Sequence, residues 1–257
     1  MEVTTGLSTS GGFLFGGCGL GAAISAMEAT SDRSCIWATA QYLAYAKPGQ
    51  ILDIDVTLAV EGHQMTQARA VGHVGNREIL TVNAALGSRP FPHEGNWQAK
   101  PNVPGPDDCA PRVWRAPPDG TINERLELRT AIGRDWDQLD GTLGDGHTAM
   151  WARIPEMIDG VDATALAILG DYVPSGVGQA LGIHGGGNSL DNTLRVIRLV
   201  PTEWVLIDIH IQGVANGFGH GLVHLFAEDG TLMATASQSC IARIHKPIPA
   251  SKETSSA

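Results

Sequence analysis

Phe13-Leu14-Phe15-Gly16-Gly17-Cys18-Gly19-Leu20-Gly21-Ala22-Ala23-Ile24-Ser25-Ala26-Met27-Glu28 is the stretch on which the fold turns. Its larger apolar residues recur mostly by threes and fours, as one face of a helix requires, so the spacing predicts a glycine-rich, buried helix over 13–28. Four strand-like segments follow, 35–46, 51–61, 64–74 and 77–86, separated by the short turn sequences Lys47-Pro48-Gly49, Glu61-Gly62 and Gly75-Asn76. A helix and then a meander of this kind predict one antiparallel sheet covered by its own helix. The glycines are expected to let that helix approach the sheet.

From Ser88 to Gly120 the composition turns to proline, glycine and charge, which reads as a linker over the surface. The order then resumes. Strand-like runs at 122–131 and 147–154 precede a helical stretch from Asp162 to Leu169 or Asp171, which Pro174 is expected to kink or end. Strand-like runs at 189–199, 204–214, 219–227 and 231–244 complete the pattern. One gapless shift places Gly17 on Gly170, Pro48 on Pro201 and Ile54-Asp55 on Ile207-Asp208, which points to an internal duplication. The expected division is a first repeat over 1–87, a linker over 88–120, a second repeat over 121–246 and a disordered tail over 247–257. Two sheets in one chain can pair their edges, and the cleft between the halves is the natural binding site.

Composition narrows the function classes. Seventeen basic against 27 acidic side chains leave a net charge of −10, which disfavours nucleic acid and anionic membranes as partners. No segment reads as a membrane span, and the apolar run after Met1-Glu2 lacks the basic start of an export signal, so the expected location is cytoplasmic. Cys18, Cys35, Cys109 and Cys240 form no CxxC pair and read as four reduced thiols.

Phe13-Leu14-Phe15-Gly16-Gly17, Ala46-Lys47-Pro48-Gly49, the run from Gly230 to Gln238 and Ile244-His245 together resemble the double-hot-dog acyl-CoA thioesterases of the TesB type. The resemblance implies an α+β fold, a double hot-dog of two helix-on-antiparallel-sheet repeats. It also implies hydrolysis of acyl-CoA to fatty acid and CoA without metal or bound cofactor, in a homo-oligomer. By position, the family's catalytic Asp, hydroxyl and Gln fall on Asp171, Ser189 and Gln238, which would hold and activate a water. Ser stands at 189, and Tyr172-Val173-Pro174 after the Asp departs from the family's commoner pattern. Backbone N–H groups of Gly16 and Gly17, at a helix start, are the oxyanion candidates.

Under the duplication shift the three positions face Cys18, Ile36 and Ala85, so one of the two pseudo-equivalent sites is expected to be active. Alternatives on the same scaffold are a non-catalytic acyl-thioester-binding protein and a hydratase or dehydratase with His184 as base. Gly17-Cys18-Gly19-Leu20-Gly21-Ala22 fits a dinucleotide fingerprint but lacks its strand context. His184-Gly185-Gly186-Gly187 resembles an esterase oxyanion loop, yet no serine elbow accompanies it. His220 and His224 read as ordinary strand histidines. Arg69, Arg77, Arg195 and Arg243 are unranked candidates for the CoA phosphates, while Trp37, Tyr42 and Tyr45 could line an acyl channel or simply pack.

Overall fold

The computed structural model describes residues 1–114, 120–157 and 160–245, so the expected tail over 247–257 lies outside the described residues. In chain order the elements are α1 (Gly16–Ser31), β1 (Cys35–Tyr42), β2 (Asp53–Glu61), β3 (Met65–Val74), β4 (Arg77–Gly87), β5 (Ala110–Pro111) and α2 (Ile122–Arg125). They continue as β6 (Glu127–Ile132), β7 (His147–Arg153), α3 (Ala163–Leu169), α4 (Val173–Leu181), β8 (Gly185–Ser189), β9 (Asp191–Val196), β10 (Val205–Ala215), β11 (Phe218–Ala227) and β12 (Leu232–Ile244). Among the described residues no helix is long and apolar enough to cross a membrane.

Among the described residues twelve strands form one antiparallel sheet, ordered β2-β3-β4-β1-β9-β12-β11-β10-β7-β6-β5, with β8 also paired to β12. The halves join where β1 meets β9. There Thr39 stands opposite Thr193 and their hydroxyls are 2.7 Å apart.

α1 begins three residues later than its periodicity predicts because Leu14 is held in a β-bridge to Ser8 and donates its N–H to Ala46 O. The helix ends at Asp32 in the left-handed region, φ 52°. Leu20, Ile24 and Met27 are fully buried under it, each worth about 1.5–3 kcal/mol relative to exposure. The expected role of its glycines holds at Gly19, where a Cβ would lie 3.5 Å from Leu80 Cδ2 of β4, and needs correction at two others. Gly17 and Gly21, four apart on one helix face, meet α3 rather than the sheet. A Cβ on Gly17 would lie 2.7 Å from Ile168 Cα, and one on Gly21 would lie 2.9 Å from Thr164 Cγ2.

Pro174 begins a helix instead of ending one. A proline in the first turn gives up only an N–H that the helix would leave unpaired, and its ring fixes φ for the turn. The chain therefore breaks at Gly170-Asp171-Tyr172, between α3 and α4. α3 is itself capped by Asp162, whose carboxylate accepts from Ala165 N at 2.7 Å. The strand expected over 122–131 opens with the helical turn α2 before becoming β6.

The linker is more than a surface connection. Val103 and Cys109 pack with Ala149, Trp151, Trp204, Leu206, Phe226 and Leu232 into a second apolar cluster on the face of the sheet away from the helices. Trp151 Nε1 donates to Pro104 O at 2.8 Å, which ties the strap down.

Strand pairing also adjusts the internal register. Thr39 answers to Thr193 and its β4 neighbour Asn83 to Ser237, so β1 and β4 map onto β9 and β12 with the 154-residue separation of the threonine pair. The β2–β3 hairpin keeps the shorter shift, with Asp55 opposite Val71 as Asp208 is opposite His224.

Candidate active site

Asp171 sits in the break between α3 and α4 and is buried, at 3% exposure. Ser189 ends β8, and Gln238 lies on the helix-facing side of β12. The structure brings the three together. Ser189 Oγ donates to Asp171 Oδ1 at 3.1 Å, and Gln238 Nε2 donates to Asp171 Oδ1 and, at 2.8 Å, to Ser189 Oγ. Gly17 N–H crosses from the first half to donate to Asp171 Oδ2 at 2.6 Å. That backbone group, an oxyanion candidate by sequence, is committed to the carboxylate here. Gly16 occupies the first position of α1, where the N–H lies outside the helical ladder.

Both glycines are required by space. A Cβ on Gly16 would fall 2.7 Å from Asp171 Oδ2 and 2.9 Å from Tyr42 Cζ. Burial raises the Asp171 carboxyl, and hydrogen bonds from Gln238, Gly17 and Ser189 pull it back, leaving it at about 6. A carboxylate so placed is ionised at neutral pH and more basic than an ordinary aspartate. Cys18 is close by but unsuited to nucleophilic work, because burial and then the Asp171 charge push its thiol up to about 12.

The polar surroundings extend beyond the three expected residues. Tyr172 Oη and Gln238 Oε1 are buried without a hydrogen-bond partner among the described residues, and the buried Tyr42 hydroxyl and Asn192 amide have at most each other. Tyr42 is next to Gly16 and Asp171, and Asn192 lies beside the Tyr42 hydroxyl. Buried polar atoms normally find partners, so this group is fitted to receive the polar atoms of a bound molecule. Sequence reasoning raised Tyr42 only as a channel or packing residue and did not raise Asn192. The alternation of β9, which turns Asn192 to the helix side with Leu194, was the available signal.

Competing motifs find other roles. His184 Nε2 contacts Trp136 O at 2.8 Å and its ring stacks on Trp136 at 4.1 Å, away from Asp171. The glycines after it serve packing: a Cβ on Gly187 would lie 2.7 Å from Cys240 Sγ. Tyr45 is half exposed and rests on Phe13, with ring centroids 4.5 Å apart.

Residues 106–242 match the family model of the acyl-CoA thioesterase C-terminal domain. The chain belongs to the acyl-CoA thioesterase family. It is therefore a thioester hydrolase on the double hot-dog fold, as the sequence resemblance implies. Among solved structures, a candidate thioesterase from Novosphingobium aromaticivorans is 30% identical, with a TM-score of 0.82 over 96% of this chain and 94% of that one. A hot-dog protein from Alicyclobacillus acidocaldarius reaches a TM-score of 0.81 at 19% identity, over 96% of this chain and 92% of that one. The acyl-CoA thioesterase II TesB2 of Mycobacterium marinum reaches 0.72 at 18% identity, over 91% and 92%. These last two likenesses bear on the fold alone. A search of curated proteins by sequence finds no match.

Proposed function

We propose that the enzyme hydrolyses acyl-CoA through a water held and activated by Asp171, Ser189 and Gln238. The supporting observation is the convergence of two side chains, Ser189 and Gln238, and the Gly17 backbone N–H on the buried Asp171 carboxylate. Asp171 takes a proton from water as the oxygen attacks the thioester carbonyl carbon. Ser189 and Gln238 orient the water and the carboxylate, and Gly16 N–H is assigned to the developing oxyanion. Collapse of the tetrahedral intermediate breaks the C–S bond, and the CoA thiolate leaves with the proton Asp171 had taken. The transfer is downhill, from an acid of about 6 to a thiol that resembles cysteine at about 8.5.

Tyr42 and Asn192 are assigned to contacts with the acyl-thioester group. Arg243 is the CoA-phosphate candidate favoured here, since it shares β12 with Gln238 and bonds Asn188, the neighbour of Ser189, at 2.9 Å. A homo-oligomeric, cytoplasmic enzyme remains part of the proposal. Thiol release from a panel of acyl-CoAs tests the activity: turnover in the native chain that is lost in Asp171→Asn supports the assignment, and equal turnover in both refutes it.

A further inference from the structure

On the sheet face opposite Asp171, four side chains from three adjacent strands meet at one point. Asp208 and His210 are two apart on β10 and so project the same way. His147 on β7 stands directly opposite His210, and His224 on β11 stands directly opposite Asp208. The intervening Ile207 and Ile209 join the core under the helices, and Leu206 joins the outer cluster, which fixes the face. Asp208 is a buried carboxylate, only 2% exposed. His147 Nε2 lies 2.7 Å from its Oδ1, His210 Nε2 3.0 Å from its Oδ2, and His224 Nδ1 3.4 Å from its Oδ2. The His147 and His210 rings stack with centroids 4.4 Å apart and planes 9° from parallel, so both direct Nε2 at the same carboxylate.

We propose that this cluster binds one divalent transition-metal ion of the zinc type, with His147, Asp208 and His210 as ligands and His224 as a fourth donor. One ligand atom from each of the first three residues already lies within 4.8 Å of the others. Bonds of about 2.0–2.2 Å in tetrahedral geometry separate ligand atoms by roughly 3.3 Å, so small side-chain rotations suffice. Imidazole nitrogens with a single carboxylate suit zinc, cobalt or nickel, whereas magnesium and calcium prefer oxygen throughout.

Of the three histidines, His224 is held least tightly by the carboxylate. His224 Nδ1 is buried and stands 3.4 Å from Asp208 Oδ2, longer than the 2.7 and 3.0 Å contacts of His147 and His210. A cation at the shared point would engage it. His210 is partly exposed, which supplies the entry path that such a site needs. The corresponding Asp55 of the first half is largely exposed and, among the described residues, pairs with His73. Because the ligands come from paired strands on the far side of the sheet, the ion would clamp β7, β10 and β11 together without entering the thioester chemistry.

The test uses the full chain without a histidine tag, stripped with chelator. Zinc is titrated by calorimetry, and cobalt(II) is followed by its visible absorption. The expected result is about one ion per chain, an intense tetrahedral-type cobalt band and a higher melting temperature with zinc. His147→Gln and His210→Gln should each weaken binding by at least the ~10–100-fold that even outer-shell partners of a metal site cost. His220→Gln should bind as the native chain does, since His220 turns to Ser239 Oγ at 3.1 Å. Asp208→Asn should abolish binding, and because His210 is partly exposed its variant keeps the test open should that buried substitution fail to fold. Absence of saturable zinc binding up to millimolar concentration, or equal binding by the His147 and His210 variants, would overturn the site.

Discussion

The two halves share a helix-on-sheet plan and contribute unlike chemistry. In the register of β1 with β9 and β4 with β12, Ser189 answers to Cys35 and Gln238 to Ala84, each by the same 154-residue separation that relates Gly17 to Asp171. The counterparts are one residue away from those of a single gapless shift, and they too lack a carboxylate. Cys35 and Ala84 are simply buried. The first half instead supplies backbone: the start of α1, stripped of side chains at Gly16 and Gly17, is driven against the carboxylate of the second half. One half accepts the desolvation of a charge, and the other provides the close approach that makes the charge tolerable.

The difference can be broken from either side. Asp171→Asn should lower kcat/KM about 10²–10⁴-fold, the usual contribution of a general base. The same variant should be more stable than the native chain at pH 8. The native carboxyl is raised from 3.8 to about 6, so the folded state binds more protons than the unfolded state between those values. Native stability therefore falls as pH rises through that window, by about 3 kcal/mol at most. Thermal melts of the two chains should diverge at pH 8 and converge near pH 4.

Gln238→Ala, which gives the second half the residue of the first, should reduce kcat about 10²-fold, as loss of one preorganised donor does elsewhere. Ser189→Cys, copying Cys35, should cost about tenfold, since a thiol is a weaker donor to Asp171. Gly17→Ala should destabilise by about 1–3 kcal/mol in chemical denaturation, because its methyl must enter the backbone of α3.

Much of this was legible in the sequence. The periodicity of 13–28 and the turn-separated runs after it placed a helix and a meander, and family motifs singled out Asp171, Ser189 and Gln238, which the fold brings together. Pro174 misled because a proline stops a helix in its interior and starts one in its first turn, and the sequence alone does not say which applies. Gly17 and Gly21 read as sheet contacts because the opposing α3 lies in the other half. The histidine cluster escaped for a related reason, with His224 read only as an ordinary strand histidine. Its ligands come from β7, β10 and β11, with His147 lying 61 residues from Asp208, and the pairing that aligns them exists only in the folded sheet.

The most direct test is the pH dependence of kcat/KM for a soluble acyl-CoA, measured by thiol release in the native chain and in Asp171→Asn. The native profile should rise with unit slope through about pH 6, where the Asp171 carboxyl ionises, and then level off; the variant should lose that limb. A native profile flat down to pH 4, or the same limb retained in Asp171→Asn, would contradict Asp171 as the base.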